Sequence, residues 1–494
     1  MQAKLIIKDE VNVKIEGLDL STRKKLVDKF KYEIPGARYL PAVRLGRWDG
    51  KVSYFGLGGG SYINLLPDII PIIEAEGYDI DLEDVRDYGN QVEFDKFSED
   101  TFAHKTWPAG HPHAGKPIMF RDYQVEIINN FLQNPQSVQE IATGAGKTIM
   151  TAALSLMAEK YGRSVVIVPN KSLVTQTEED YRNLGLDVGV YFGDRKEWGK
   201  THTICTWQSL NVLLKATQDG TAECTIGEFV DNVALVMVDE VHMAKADALK
   251  TLLTSVFAQV PIRWGLTGTI PKEEYAAVSI FCSLGSVVGK LSAAELQEAG
   301  HLAQCHVNIV QLQDHVEYND YQSELKYLTT TVERIAYLAR MIDRIKDSGN
   351  TLILVDRIET GKILQAELST LFSLLSDKPD VAFVSGSTKA KDRKDEYDEV
   401  ATADNKIIIA TYGVAAVGIN IPRIFNLVLV EPGKSFVRVI QSIGRGIRKA
   451  EDKDFVQIWD VTSTCKFAKR HLTKRKAFYK EANYPFAVEK VDWK

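Results

Sequence analysis

Cysteine is scarce in this 494-residue chain: five residues, Cys205, Cys224, Cys282, Cys305 and Cys465, scattered without a Cys-x-x-Cys pair. That spacing excludes a disulfide framework or a zinc knuckle and leaves buried, reduced thiols as the expectation. Long apolar runs are missing as well. The longest, such as Val165 to Val168 or Leu427 to Val430, fall far short of the roughly 18 residues needed to cross a bilayer, so no membrane partner is expected. The opening MQAKLIIKDEVNVKIEG reaches Asp9 and Glu10 without an apolar core or a small-residue cleavage site, which reads as a cytoplasmic protein. Nor does one sign of charge dominate: 60 Lys/Arg stand against 66 Asp/Glu, net −6, in a chain that is 45% hydrophobic and 26% charged. These proportions exclude disorder, collagen and coiled coil, and the length suggests about three domains. Phosphate backbones select basic surfaces, so the overall charge argues against a nucleic-acid partner, but its distribution points the other way. Residues 1–60 carry +5, residues 61–120 carry −8, and residues 461–494 carry +6.

Short apolar runs ending in turn or polar residues recur between about 115 and 460: VVIVPN, LVMVDE, RWGLTG, LILVDR, KIIIAT, NLVLVE and VQIWD. Continuous rather than alternating runs belong to parallel strands covered by helices on both faces. After Thr148, the residues Met150, Ala153, Leu154 and Met157 repeat at helical spacing until Gly162. The fold class is therefore α/β with two lobes, divided by a weakly patterned stretch from Leu291 to Gln322. An acidic segment and the Pro/Gly/His-rich WPAGHPHAGKP join the first lobe to a small N-terminal α+β domain. The boundaries expected are 1–105 for an N-terminal DNA-binding domain, 106–295 for an ATP-binding lobe, 296–460 for a second lobe, and 461–494 for a basic helical C-terminal arm. His104, His111 and His113 in the join lack cysteine or carboxylate partners at zinc spacing and are read as linker residues.

Chemistry concentrates at three places. In Ala142-Thr143-Gly144-Ala145-Gly146-Lys147-Thr148, small residues before a helix let backbone N–H groups approach phosphates. Lys147 would reach the β- and γ-phosphates and Thr148 would ligate Mg²⁺; the strict pattern's first glycine is Ile141 here. Asp239-Glu240-Val241-His242 closes an apolar strand, placing two carboxylates at the edge where α/β sheets bind ligands. Asp239 would hold Mg²⁺ and Glu240 would orient and deprotonate the attacking water, while His242 would couple the site to a neighbouring loop. Third, Arg445 and Arg448 in QSIGRGIR are three apart, one face of a helix, and both could stabilise charge on a γ-phosphate.

With these motifs in this order the chain resembles the superfamily 2 helicases and translocases, over about residues 118–460. The resemblance implies two RecA-like lobes with ATP bound between them, Arg121 and Gln124 reading adenine, Gly418 at the nucleotide, and Thr267-Gly268-Thr269 and Gln441 coupling hydrolysis to movement. Asn420 stands where many relatives have Asp. It further implies that Pro169, Asn170, Gln176, Thr206, Trp207 and Gln208 of lobe one contact a nucleic-acid strand, as do Arg357, Ser385, Gly386 and Thr411 of lobe two. Within the superfamily the chain looks most like the phage UvsW-type recombination helicases, because RYLPAVRLGRWDGKVSYF is similar to their N-terminal signature. Arg44, Arg47, Trp48 and Lys51 of that segment would then meet DNA.

The function expected is an ATP- and Mg²⁺-dependent DNA helicase or translocase. It would remodel branched DNA, namely R-loops, stalled forks and Holliday junctions, in phage recombination, repair and replication. Its partners would be branched duplex, single strands and RNA–DNA hybrid; a monomer is expected, working in host cytoplasm, with a single-strand-binding or recombination protein as a further partner. Two alternatives stay open: the motor subunit of a restriction or repair system, and a nucleic-acid-binding scaffold with a vestigial ATP site.

Overall fold

The structure, a computed structural model, describes residues 1–494 apart from 35, 87–91, 110–112, 244–245, 374, 377, 389, 401, 416–420, 422 and 434–451. The chain divides into two compact units, Met1–Ile141 with Gly146–Lys290, and Ala142–Ala145 with Leu291–Lys494. The Ala142 N–H donates to the Leu291 carbonyl at 2.9 Å, tying that short stretch to the first residue of the second unit's main segment.

The first unit is built on an eight-stranded sheet. Its order is Arg195–Lys196, Val188–Phe192, His202–Thr206, Arg163–Val168, Val233–Asp239, Ile262–Thr267, Gln136–Ile141 and Ser286–Leu291. The central pairs are parallel, and the two-residue edge strand Arg195–Lys196 is antiparallel to its neighbour. Every residue of Val233–Asp239, His202–Thr206 and Ile262–Thr267 is buried, the consequence of helices on both faces. The second unit carries seven parallel strands in the order Val381–Val384, Ile407–Thr411, Thr351–Val355, Asn426–Val430, Phe455–Ser463, Gln304–Leu312 and Phe486–Val491. These are the two RecA-like lobes. All five cysteines are free and buried, and among the described residues no helix is long and apolar enough to cross a membrane.

Two readings of the sequence need correction. The weakly patterned stretch 291–322 contains the strand Gln304–Leu312, whose polar Gln304, His306 and Asn308 hide a buried alternate face. The C-terminal arm is helical over Lys466–Glu481 but ends in the edge strand Phe486–Val491, which pairs with Gln304–Leu312. Its basic and aromatic residues are not all free for DNA. Arg475 is buried and binds both oxygens of Asp460, at 2.8 and 2.9 Å, while the Tyr479 hydroxyl donates to the same carboxylate at 2.6 Å.

The N-terminal residues form a four-stranded sheet, ordered Gly60–Tyr62, Asn12–Glu16, Gln2–Ile7 and Asp79–Asp84, and a two-stranded ribbon, Lys31–Glu33 with Lys51–Ser53. This α+β module shares its core with lobe one: Tyr275 and Cys282 belong to the same apolar cluster as Leu5, Ile15 and Phe55. Polar contacts fix its orientation. The Asn12 amide donates to the Thr254 carbonyl at 2.8 Å and the Tyr54 hydroxyl to the Tyr275 carbonyl at 3.3 Å. Thr254 lies in a π-helical turn, Leu252–Val256, whose register leaves backbone carbonyls to such partners.

One core residue makes the first unit pH-sensitive. His202 is fully buried on its strand, its Nδ1 2.7 Å from the Ser164 hydroxyl, and burial lowers its pKa to about 4. The unfolded imidazole titrates near 6.5, so the unfolded state binds the extra proton between the two values. Stability is therefore full above pH 6.5 and falls as pH drops towards 4, by on the order of 3 kcal/mol. Calorimetric scans at pH 7 and pH 5 should show a larger loss for the wild type than for His202→Asn, and equal losses would contradict this account.

Candidate active site

The phosphate loop gets its shape from two glycines. Gly144 has φ 95° and Gly146 φ 84°, backbone that an L side chain resists, and the helix Lys147–Ala158 starts directly after. A Cβ at Gly146 would stand 2.8 Å from Gln124 Nε2, so the glutamine is packed against the loop. Gln124 is held there by the Arg121 N–H, which donates to its Oε1 at 3.0 Å. Arg121 in turn donates to the Tyr123 hydroxyl at 3.1 Å. A helix start preceded by a glycine turn, with cationic Lys147 on its first turn, has the charge and geometry suited to an anion.

Across from Lys147 stands the acidic pair. The strand Val233–Asp239 delivers Asp239 buried, and Glu240 follows with φ 51°, an uncommon conformation that turns its carboxylate back over the sheet edge. Lys147 Nζ donates to Glu240 Oε1 at 2.8 Å, with each side chain only about a tenth exposed. The other oxygen, Oε2, lies 3.5 Å from His242 Nδ1 and 3.4 Å from the Gly268 N–H. His242 Nδ1 also meets the Thr267 hydroxyl at 2.5 Å, and that hydroxyl donates to the Thr269 carbonyl at 2.7 Å. Lys147, Glu240, His242 and the 267–269 loop are thus one connected network. Burial, with Glu240 next door, pushes the Asp239 carboxyl up to about 7. Burial lowers the pKa of His242 despite the carboxylate beside it, favouring a neutral imidazole.

The residues expected to touch nucleic acid collect at strand ends. In lobe one, Asn170 caps the helix Lys171–Asn183 by accepting from the Leu173 N–H at 3.0 Å, and Gln176 lies half-buried on that helix. Thr206 caps the helix Trp207–Gln218, and the exposed Gln208 donates to the Pro169 carbonyl at 3.4 Å, bringing the two loops together. Trp207 is half-buried against the lobe core, which limits how much of it can stack on a base. In lobe two, Arg357 precedes the helix Ile358–Phe372 and donates to Gln322 Oε1 at 3.3 Å. Ser385 bonds Ser387 and Thr388, Gly386 is exposed, and Thr411 ends its strand. In the N-terminal module Arg44, Arg47 and Lys51 are exposed, while Trp48 is half-buried and spends its indole N–H on the Lys51 carbonyl at 2.9 Å. His111, Gly418, Asn420, Gln441, Arg445 and Arg448 lie outside the described residues.

One residue escaped the sequence reading. Glu431 follows the strand Asn426–Val430 with φ 43°, as Glu240 follows its strand in lobe one, and is buried on Arg334 at 2.8 Å. Burial raises its pKa to about 7. The signal was present in NLVLVE, the counterpart of LVMVDE, but Arg334 is distant in sequence.

Residues 117–272 match the family model described as type III restriction enzyme, res subunit, and residues 333–450 match the helicase conserved C-terminal domain. The ATP-dependent DNA helicase uvsW of Enterobacteria phage T4 is 23% identical over 506 residues, covering 98% of this chain and 95% of its own. The DNA 3'-5' helicase XPB of Kineococcus radiotolerans is 23% identical over 386 residues, covering 75% of this chain and 65% of its own. In three dimensions, a fragment of an HsdR subunit of a type I restriction enzyme from Vibrio vulnificus YJ016 superposes with a TM-score of 0.56 at 20% identity, over 76% of this chain and 69% of its own. That likeness speaks for the fold.

Proposed function

We propose that this chain, which belongs to the superfamily 2 helicases and is an ATP-dependent helicase, spends ATP on remodelling branched DNA: R-loops, stalled forks and four-way junctions. One observation carries the reading. The match to the phage helicase runs along 98% of the chain, through the N-terminal module as well as the motor. The restriction-motor alternative draws on lobe one's family description and on fold likenesses to restriction enzymes at 20% identity or below. We carry over the 3'-5' direction that the XPB relative's name states, and place the work in host cytoplasm with a monomer on DNA.

The residues fit Mg²⁺. A threonine hydroxyl and a carboxylate are the hard oxygen donors it takes, and the buried, pKa-raised Asp239 is a carboxyl whose desolvation a cation would offset. Thr148 and Asp239 would hold the ion, which when bound neutralises charge on the β- and γ-phosphates. Phosphates entering the glycine loop compete for Lys147 Nζ, so Lys147 leaves Glu240. The released carboxylate is then free to take a proton from water. His242, on the same network, carries the change to Thr267 and Gly268. Arg445 and Arg448 would stabilise charge that develops on the γ-phosphate.

The deciding experiment compares ATPase stimulation and unwinding on single-stranded, duplex, forked, four-way and R-loop substrates. Forks, junctions and R-loops should be processed at least about tenfold faster than plain duplex, since unwinding on the order of 1.4 kcal/mol easier at the barrier gives that factor. Equal rates on all duplex-containing substrates would sink the branched-DNA reading.

The N-terminal cations supply another test. Arg38, Arg44, Arg47 and Lys51 are exposed, and each phosphate that is no longer neutralised should flatten the slope of log affinity against log salt by roughly 0.9 on duplex DNA. Replacing all four with alanine should reduce that slope on a four-way junction, measured by salt titration, and an unchanged slope would remove them from the interface. Substitution is the cleaner route, because truncating residues 1–100 would uncover Tyr275 and Cys282 of the shared core.

A further inference from the structure

The helix Lys466–Glu481 has two unlike faces. Ala468, Leu472, Arg475 and Tyr479 form the buried one, locked in rotation by the Arg475–Asp460 pair. Opposite them Lys466, Lys469, Arg470, Thr473 and Lys480 are exposed. Two donors of the helix's first turn are already taken: the Phe467 and Ala468 N–H groups bond the Glu324 carboxylate at 3.0 and 2.7 Å. Any anion on this face must therefore be held by side chains.

Those side chains form one wall of a groove of about 720 Å³, with Lys466, Lys469, Arg470 and Thr473 on one side and residues 315–317 on the other. Two acids border it. Asp314 is committed to Arg334, to the Ser463 hydroxyl and to the Trp493 indole, which leaves exposed Glu317 against three cations. The groove opens at the carboxyl edge of the seven-stranded sheet, where Leu312 and Ser463 end adjacent, paired strands. Arg357 and Thr411 stand at the same edge, following or ending the paired strands Thr351–Val355 and Ile407–Thr411.

A continuous chain of contacts joins the two places. Arg357 reaches Gln322; the next residue back, Tyr321, sets its ring against Phe467 at 6.2 Å and His471 at 5.0 Å. Lys466 and Arg470 flank the Phe467 ring at 5.7 and 5.9 Å. Cations alternating with rings along one edge suit a nucleic-acid strand, whose phosphates pair with the former while its sugars and bases pack on the latter.

We propose that Lys466, Lys469 and Arg470 form a second phosphate-backbone site in lobe two, which extends the strand path from Arg357 across Tyr321 and Phe467 to the C-terminal helix. The inference rests on the helicase reading above. It assigns the basic arm a role that Arg475 and Tyr479, being buried, cannot take.

The test uses the full chain and a fluorescent oligothymidylate in a salt titration. Lys466→Gln, Lys469→Gln and Arg470→Gln combined should lower the slope of log affinity against log salt by about 2, at roughly 0.7 per neutralised single-strand phosphate. The three positions are exposed, and an unaltered melting curve confirms the fold. Because the native cysteines are all buried, Thr473→Cys offers one accessible thiol for a photocrosslinker. It should capture the bound oligonucleotide, while Leu371→Cys, near the far end of the helix Ile358–Phe372, should not. An unchanged slope, or no crosslink from position 473, overturns the proposal, including in favour of an acidic protein partner for the groove. Wild-type protein that binds no oligonucleotide at all would instead refute the helicase reading, a separate result.

Discussion

Lys147→Ala is expected to reduce DNA-stimulated ATP hydrolysis by on the order of 10³-fold or more and to abolish unwinding, with DNA affinity within about twofold of wild type. Two losses coincide at this position. The loop proposed to cradle the β- and γ-phosphates loses its ammonium, the only charged side chain in residues 142–148. Glu240 loses the cation 2.8 Å away that offsets its burial in a site about nine-tenths buried, and a buried carboxylate without its counter-charge is disfavoured. DNA binding is expected to be spared because Asn170, Gln208 and Arg357, the residues proposed to meet the strand, are held by their own local bonds, none of these to Lys147. Lys147→Arg should not rescue activity, since a planar fork cannot replace a compact ammonium in a loop shaped by Gly144 and Gly146. Equilibrium titration with a fluorescent nucleotide, alongside steady-state turnover and DNA anisotropy, checks all three quantities. A variant that still unwinds would remove Lys147 from the phosphate site.

The sequence made the motor legible wherever a physical requirement acts locally. Gly144, Gly146 and Lys147 are neighbours, so the left-handed glycine turn ahead of a helix shows in seven letters; Asp239 and Glu240 show because they stand at the end of a buried strand. The strands buried on both faces, such as Val233–Asp239, announced themselves as continuous apolar runs. Strands with polar or exposed positions did not. Gln304–Leu312 carries Gln, His and Asn on its less buried positions, and Phe486–Val491 leaves four of six side chains exposed, so neither stands out from loop. Long-range partners were invisible for a different reason. Arg475 reads as one more cation in a basic run, and only the fold reveals that Asp460 and Tyr479 enclose it. The same holds for Trp48, which in sequence offers a stacking surface and in three dimensions spends its N–H within its own turn. Charge and aromaticity on paper therefore overstate a DNA-binding face, and burial decides which residues remain available.

Glu240→Gln should separate binding from chemistry at the same site. The amide keeps the shape of the side chain, and its one carbonyl oxygen can still accept from Lys147 Nζ; the NH2 that replaces Oε2 gives up the 3.4 Å bond from the Gly268 N–H, while the His242–Thr267 contact does not pass through residue 240. Basicity is lost, and with Glu240 as the proposed proton acceptor, turnover should fall by on the order of 10² to 10⁴ fold, or about 3 to 5.5 kcal/mol at the barrier. Nucleotide affinity should move the other way. In the wild type, phosphates must draw Lys147 from an ion pair that is largely shielded from water, whereas in the variant they displace only a bond from the ammonium to an uncharged amide. The variant should thus bind ATP as tightly as wild type or a few fold more tightly, and hold it, which makes it a trap for the ATP-bound state on DNA. Single-turnover hydrolysis and nucleotide titration on the same preparation distinguish the outcomes. A loss of ATP affinity comparable to the loss of rate would move Glu240 from proton acceptor to binding residue, and would show that the Lys147–Glu240 pair supports the phosphate site rather than competing with it.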